Sequence, residues 1–210
     1  MIRILLVDDH PVARHGIRAV LTDRVKDAVI GEAPDAATAL SAVQTGDWDL
    51  MIADISLPGT SGLELIKEVR RLKPTLPTLV LSMHPASQFA RRALSAGAIG
   101  YLTKGSELDE FVTAIEQVRR GRRFISRDTA DLLGRRKVNW DSAPHETLSD
   151  REYQVLRLLG SGKTISDIAR DLGLSVKTVS TYRARVLDKL GMRTNAELMR
   201  YAIENRLLES

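Results

Sequence analysis

The sequence contains no cysteine among its 210 residues, which excludes disulfide bonds and thiolate metal sites. It also has no apolar run that approaches the ~20 residues of a membrane-spanning helix. The first apolar stretch is interrupted by Asp8, Asp9 and His10 before the core of a secretory signal could form. We therefore expect a cytoplasmic protein that does not contact a membrane.

The excess of positive charge is small and unevenly distributed. The net charge is +4, but residues 1–120 carry 14 Lys+Arg against 15 Asp+Glu, whereas residues 148–210 carry 11 against 8. Only the C-terminal part is thus suited to a polyanionic partner. Charge alone does not distinguish such a surface from an ordinary solvated one.

The first 120 residues alternate short apolar stretches with amphipathic ones. The alternation predicts five buried strands and five helices, hence a doubly wound parallel sheet with helices on both faces. The predicted strands are 2–7, 28–33, 49–54, 77–82 and 98–103. The first helix should place Val12, Ile17, Val20 and Leu21 on one side, and the others are predicted at 35–46, 61–72, 88–97 and 107–121.

The alternation ends near residue 121, where the chain becomes polar and loses its periodicity. We interpret residues 121–146 as an interdomain linker, with a short helix at 127–134. After the linker every periodic segment is helical. The sequence therefore predicts two domains, 1–120 and an all-α domain at 147–210.

Polar side chains follow the predicted strands at the point where each strand ends. Asp8 and Asp9 follow the first strand, Asp54 ends the third, Ser82 ends the fourth, and Lys104 follows the fifth. Because the carboxyl ends of parallel strands meet at one edge of a doubly wound sheet, we expect these five side chains to lie together there.

The residue types at this edge suit phosphoryl transfer. Three adjacent carboxylates repel one another unless a cation lies among them, and hard oxygen donors favour Mg²⁺. A carboxylate can act as nucleophile while a metal and a lysine balance charge and a hydroxyl donates to a phosphoryl oxygen. Each residue alone could be a turn residue or a helix cap. The five together are much harder to explain in that way.

Residues 1–120 resemble the receiver domain of bacterial two-component response regulators. The resemblance is carried by "LLVDDHP", "DLMIADISLPGTSGLELI", "LVLSMH" and "GAIGYLTKG". It implies a flavodoxin-like fold, with Asp54 as the phospho-acceptor, Ser82 as the switch hydroxyl and Lys104 as the phosphate-pairing lysine. Tyr101 would be the aromatic residue that turns inward on activation. The Mg²⁺ ligands would be Asp8, Asp9, Asp54 and the backbone carbonyl of Ser56.

The C-terminal domain shows a helix, a turn through Gly173 and a second, basic helix at 175–191, which is the helix-turn-helix pattern. In the second helix Val176, Val179, Val186, Leu187 and Leu190 can be buried. Such a helix enters the major groove with its N-terminal residues nearest the bases. The candidate DNA contacts on its outer side are Lys177, Thr178, Ser180, Thr181, Tyr182, Arg185 and Lys189.

This second domain resembles the LuxR-type helix-turn-helix of the NarL/FixJ family of response regulators. The matching segments are "LSDREYQVLRLL", "ISDIARDLGLSVKTVSTYRARVLDKL" and "NAELMRYA". The resemblance implies double-stranded promoter DNA as a partner and a homodimer formed on activation through the last helix, 194–204. It also implies a sensor histidine kinase or phosphotransfer protein as phosphoryl donor, and RNA polymerase is a candidate partner.

The prediction from sequence is a phosphorylation-activated, DNA-binding transcriptional regulator with Mg²⁺ as cofactor, not an enzyme that acts on a separate substrate. Two alternatives remain open. One is a DNA-binding protein whose first domain only dimerises or binds a small ligand. The other is an Mg²⁺-dependent phosphohydrolase, although the sequence offers no evident substrate pocket or cap domain.

Overall fold

Strands with both faces buried form the centre of the N-terminal part of the chain. In the computed structural model, which describes residues 1–84, 86–126 and 144–208, six strands pair in parallel in the order β2-β1-β3-β4-β5-β6. Continuous apolar runs are expected for parallel strands that are covered on both sides. The strands are β1 (Ile2–Val7), β2 (Ala28–Ala33), β3 (Leu50–Ala53), β4 (Thr78–Ser82), β5 (Gly100–Thr103) and β6 (Phe124–Ile125).

The helices between the strands complete a doubly wound fold, as the sequence predicted. One face of the sheet packs against α1 and α5 in a core that includes Ile4, Ile52, Leu21 and Ile115. The other face carries α2, α3 and α4, which contact one another in sequence. These five helices are α1 (Pro11–Arg24), α2 (Ala36–Thr45), α3 (Gly62–Leu72), α4 (Ala86–Ala96) and α5 (Leu108–Arg119).

The predicted count of five strands was wrong by one. The additional strand, β6, has two residues and pairs in parallel with Gly100 and Tyr101 of β5. A two-residue strand has no periodicity to detect, and Arg122 and Arg123 directly before it resemble a polar loop. The short helix predicted at 127–134 lies outside the described residues.

One residue of α1 does not face the sheet as predicted. Val12 is 86% exposed, while Ile17 and Val20 pack against the core and Leu21 is buried. Residues in an α-helix are separated by about 100°, so Val12 lies about 140° around the helix from Ile17. The inward stripe of α1 therefore begins at Ile17.

The chain separates into two units, Met1–Leu133 and Gly134–Ser210, and the second is helical throughout its described part. A 3₁₀ turn at Pro144–Thr147 precedes four α-helices: α6 (Asp150–Gly160), α7 (Ile165–Asp171), α8 (Val176–Leu190) and α9 (Asn195–Glu204). Each begins with a hydroxyl that accepts a hydrogen bond from a first-turn N–H, which marks a helix start in the local sequence. The caps are Ser149, Thr164, Ser175 and Thr194.

One prediction about burial in this unit was wrong, and a polar residue of its 3₁₀ turn is buried. Val176 is predicted to be buried but is 51% exposed, because it is the first residue of α8 and none of the described helices covers it. The polar residue is His145, whose Nδ1 lies 2.9 Å from the Tyr201 hydroxyl of α9. Among the described residues, no helix combines the length and hydropathy needed to span a bilayer.

Candidate functional site

Two buried carboxylates and one lysine meet at the carboxyl edge of the sheet. Asp8 and Asp54, which follow β1 and β3, are 1% and 3% exposed. The Lys104 ammonium, which follows β5, lies 2.6 Å from Asp8 Oδ2 and 2.7 Å from Asp54 Oδ2. The structure thus brings together three residues that are separated by up to 96 positions in the chain.

The backbone holds Asp54 tightly in place. Its N–H donates to the carbonyl of Val7 at 2.9 Å, which extends the β1–β3 pairing to the end of the strand. Gly62, at the start of α3, lies so close that a Cβ atom there would fall 1.9 Å from the Asp54 carbonyl oxygen. Gly62 also donates its N–H to the Ile55 carbonyl at 2.9 Å. Only glycine allows this approach, so the loop after β3 is closed against the first turn of α3.

The charge of Lys104 is stabilised in spite of its burial. Burial alone would lower the pKa of the ammonium, but attraction and hydrogen bonding to Asp54, and then to Asp8, outweigh it and raise the pKa above its usual value. Lys104 therefore remains a cation against two acids, which is the charge arrangement needed to accept a phosphoryl group.

Ser82, His84 and Tyr101 form a second hydrogen-bonded group at the same edge. The fully buried Ser82 Oγ accepts the His84 N–H at 3.2 Å, and the carbonyl of His84 accepts the Tyr101 hydroxyl at 2.7 Å. The Tyr101 ring is buried, so this residue points inward. The backbone N–H of Lys104 donates to the Ser82 carbonyl at 2.8 Å, which joins this group to the acidic one.

The outer face of α8 displays the predicted DNA contacts to different extents. The exposed ones are Lys177, Thr181, Arg185 and Lys189, and the half-buried ones are Thr178, Ser180 and Tyr182. Two of the hydroxyls already have local partners: Thr181 donates to the Lys177 carbonyl at 3.0 Å, and Thr178 Oγ1 lies 2.8 Å from the oxygen of the cap Ser175.

Lys189 also anchors α8 to α6. Its ammonium lies 2.6 Å from Oε2 of Glu152, which is 4% exposed and also accepts the Ser149 N–H at 2.7 Å. Burial would raise the pKa of Glu152, but the hydrogen bonds from Lys189 and Ser149 outweigh it and lower the pKa below its usual value. Arg183 makes a second anchor, because its Nε donates to Asn195 Oδ1 of α9 at 2.6 Å.

Comparison with known proteins assigns both parts of the chain. Residues 4–116 match the family model described as the response regulator receiver domain. Residues 146–202 match the model for bacterial regulatory proteins of the luxR family. The chain is a response regulator of the NarL/FixJ family.

Individual response regulators match over nearly the full length of the chain. The UvrY response regulator of Escherichia coli K12 is 35% identical, covering 99% of this chain and 96% of its own. The GacA response regulator of Pseudomonas aeruginosa is 34% identical, with coverage of 100% and 99%. RcsB of Salmonella enterica serovar Typhimurium, solved with promoter P1flhDC and the phosphomimetic BeF3⁻, has a TM-score of 0.59 at 28% identity, covering 95% of this chain and 97% of that one.

These matches confirm the predicted family, architecture and general function. The response regulator is a phosphorylation-activated regulator of transcription, with a receiver domain and a LuxR-type DNA-binding domain.

The donor set of this response regulator fits the divalent cation that receiver domains bind. Asp8, Asp9, His10 and Asp54 each offer a ligand atom, and these atoms lie within 4.8 Å of one another. Three of the four are carboxylates, the hard donors that Mg²⁺ prefers, and His10 Nδ1 is already 2.8 Å from Asp9 Oδ1. Ser56 lies beside them, with its N–H 3.2 Å from Asp54 Oδ1.

Three contacts in this response regulator were not found from its sequence. Arg14 of α1 donates to the Asp8 carbonyl at 2.6 Å, but an arginine on a helix is indistinguishable from a solvated one in the sequence. The bond between Ser56 and His84 joins residues 28 positions apart. The pairing of Glu152 with Lys189 joins α6 to α8 and is visible only in the tertiary structure.

Proposed function

We propose that Asp54 accepts the phosphoryl group, from a sensor histidine kinase or a phosphotransfer protein. The observation that carries this proposal is the buried Asp54 carboxylate 2.7 Å from the Lys104 ammonium, which also touches Asp8. Asp8 already accepts the His10 N–H at 2.8 Å, and its backbone carbonyl is bound by Arg14. Asp54 follows β3, which lies between β1 and β4, so it stands between the acid that follows β1 and the hydroxyl that ends β4.

In the proposed reaction a carboxylate oxygen of Asp54 forms a bond to phosphorus while the bond from phosphorus to the donor breaks. Lys104 then pairs with the phosphoryl oxygens, and Ser82 turns its hydroxyl to donate to one of them. Mg²⁺, held by Asp8, Asp9, Asp54 and the Ser56 backbone carbonyl, would supply positive charge to the phosphoryl oxygens. The product is an acyl phosphate on Asp54.

We further propose how the signal reaches DNA. Movement of Ser82 and Lys104 favours an active state in which Tyr101 is inward, and this shifts an existing equilibrium. The protein consists of the domains 1–120 and 147–210, joined by the linker 121–146, and acts in the cytoplasm. In the active state two chains form a homodimer through the last helix. RNA polymerase is a candidate further partner. The proposed DNA contacts are Lys177, Thr178, Ser180, Thr181, Tyr182, Arg185 and Lys189.

Intact-protein mass spectrometry tests the acceptor residue directly. The full chain is incubated with Mg²⁺ and a small-molecule phosphodonor, beside Asp54→Asn and the control Asp47→Asn, which alters an exposed acid. We expect one phosphoryl mass on the wild type and on the control, and none on Asp54→Asn. A phosphoryl mass retained by Asp54→Asn would assign the acceptor to another residue.

DNA binding by the same proteins tests the link between the domains. Fragments from the source genome are titrated with each protein, with and without the phosphodonor. We expect binding to strengthen with phosphodonor in the wild type and in Asp47→Asn, but not in Asp54→Asn. Equal binding by all three proteins under both conditions would favour a receiver that only dimerises or binds another ligand.

A further inference from the structure

One residue, His84, connects three parts of the receiver that the proposed function uses. Its backbone N–H donates to Ser82 Oγ at 3.2 Å, and its backbone carbonyl accepts the Tyr101 hydroxyl at 2.7 Å. Its side chain reaches the loop after β3, where Nε2 lies 2.9 Å from Ser56 Oγ. The hydroxyl, the aromatic switch and the phosphorylation loop therefore all bond to the same residue.

The His84 imidazole is held in place on a second side. It stacks on the fully buried ring of Phe89 in α4, with centroids 4.7 Å apart and an interplanar angle of 26°. Stacking fixes the plane of the imidazole and presents Nε2 at its edge to Ser56. Because the ring is already ordered, little side-chain entropy remains to oppose the Ser56 bond.

The consequence concerns the segment between β4 and α4. The carbonyl of His84 is the acceptor for the Tyr101 hydroxyl, so Tyr101 can bond there only while His84 keeps its position. The Ser56 hydroxyl restrains that position from the loop that begins at Asp54. The bond links the phosphorylation loop to the Tyr101 acceptor through atoms that phosphorylation of Asp54 would not replace.

We propose that His84 is a positioning residue whose side-chain bond to Ser56 holds Tyr101 inward before phosphorylation. This inference rests on the proposed function in one respect, the assignment of the inward Tyr101 to the active state. The bond then sets the basal fraction of active molecules. Phosphorylation then shifts further toward the active state an equilibrium that the bond between Ser56 and His84 already favours in that direction.

The expected effect is that of one hydrogen bond. The net contribution of one intramolecular hydrogen bond corresponds to a change of about fivefold in an equilibrium constant. The ratio of inward to outward Tyr101 should therefore fall about fivefold in Ser56→Ala and in His84→Phe. Phenylalanine keeps the ring that stacks on Phe89 and the backbone bonds of residue 84, and it removes the Nε2 contact with Ser56.

Fluorine NMR of the full chain labelled with 3-fluorotyrosine measures this ratio without phosphodonor or Mg²⁺. Tyr101→Phe assigns the Tyr101 resonance among the four tyrosines. Thr22→Ala is the matched control, because it removes an exposed hydroxyl of α1 that donates to the Arg18 carbonyl. The double variant Ser56→Ala/His84→Phe should show no more loss than either single variant, since both remove the same bond.

An unchanged Tyr101 resonance in Ser56→Ala and His84→Phe would overturn the proposal, as would additive effects in the double variant. A loss of the inward signal in both single variants, with none in Thr22→Ala, would support it. If the wild type instead failed to respond to phosphodonor in DNA binding, the proposed function would fail. The NMR result would stand independently.

Discussion

Replacing Lys104 with methionine removes the cation between Asp8 and Asp54 and keeps a straight side chain of similar volume. The two carboxylates are almost completely buried, and the ammonium contacts both at 2.6 and 2.7 Å. Removing one partner of a buried ion pair costs about 3–5 kcal/mol, because the other charge is left uncompensated. Lys104 is 10% exposed, so water reaches the site and we expect the lower limit, about 3 kcal/mol.

Urea unfolding of the full chain measures this cost in the receiver. In a Trp140→Phe background the fluorescence of Trp48 reports on the receiver, where its indole donates to the Ala42 carbonyl. The matched control is Lys73→Met. Lys73 and its partner Asp47 are 41% and 94% exposed and 3.7 Å apart, so its loss should change stability by less than about 0.5 kcal/mol.

Magnesium provides the second part of this experiment. The Lys104→Met receiver should be less stable in EDTA, and Mg²⁺ should stabilise it more than the parent, because the lysine no longer competes for the carboxylates. If Lys104→Met unfolded at the same urea concentration as the parent in EDTA, the ion pair would not have the strength assigned to it. Equal stabilisation of both proteins by Mg²⁺ would contradict competition for one site.

Two further predictions concern backbone packing and the DNA-binding helix. Gly62→Ala should destabilise the receiver by about 3 kcal/mol in urea unfolding, because its methyl group would lie 1.9 Å from a backbone carbonyl oxygen. Gly16→Ala, in α1 with nothing within 4 Å, should instead stabilise it by up to about 1 kcal/mol, and equal effects would refute the argument. In DNA titrations Arg185→Ala should reduce the slope of log K against log salt by about 0.9, as expected for one lost phosphate contact. Lys189→Met should reduce the slope by a similar amount and also lower the stability of the second unit by about 1 kcal/mol, and Lys189→Arg should restore both. The pKa of Glu152 is lowered in the folded state, so the stabilisation by Lys189 is fully present above the pKa of Glu152 in the unfolded chain. It is lost as the pH falls through the lower pKa of Glu152 in the folded protein. A stability difference between Lys189→Met and the parent that did not change with pH would contradict this reasoning.

The parts of the fold that follow from short apolar segments could be predicted from the sequence. Each of β1 to β5 has four to six residues, and β1, β3 and β5 are each followed directly by a charged residue. Once the strands are parallel, the ends of β1, β3 and β5 must meet at one edge. For this reason Asp8, Asp54 and Lys104 could be placed together without knowledge of any distance.

The features that the sequence did not predict are those in which the burial or bonding of a side chain depends on residues distant in the chain. Val12 and Val176 are apolar and lie in the first turns of their helices, but within the described part of the chain no neighbouring element covers them. His145 is polar and lies beside the linker, yet Tyr201 from the last helix covers it. The bond of Ser56 to His84 also joins distant segments, and residue type alone does not reveal such pairs.

The hydrogen bond from the Lys104 N–H to the Ser82 carbonyl, 2.8 Å long, has a consequence for the kinetics of the switch. The bond joins the backbone at the end of β4 to the backbone of the residue after β5. We therefore expect the end of β4 and the start of the loop after β5 to move together. In the proposed reaction, the Lys104 ammonium and the Ser82 hydroxyl should therefore reach the phosphoryl group in a single concerted step. Relaxation experiments that follow residues 82 and 104 separately should return one common rate constant.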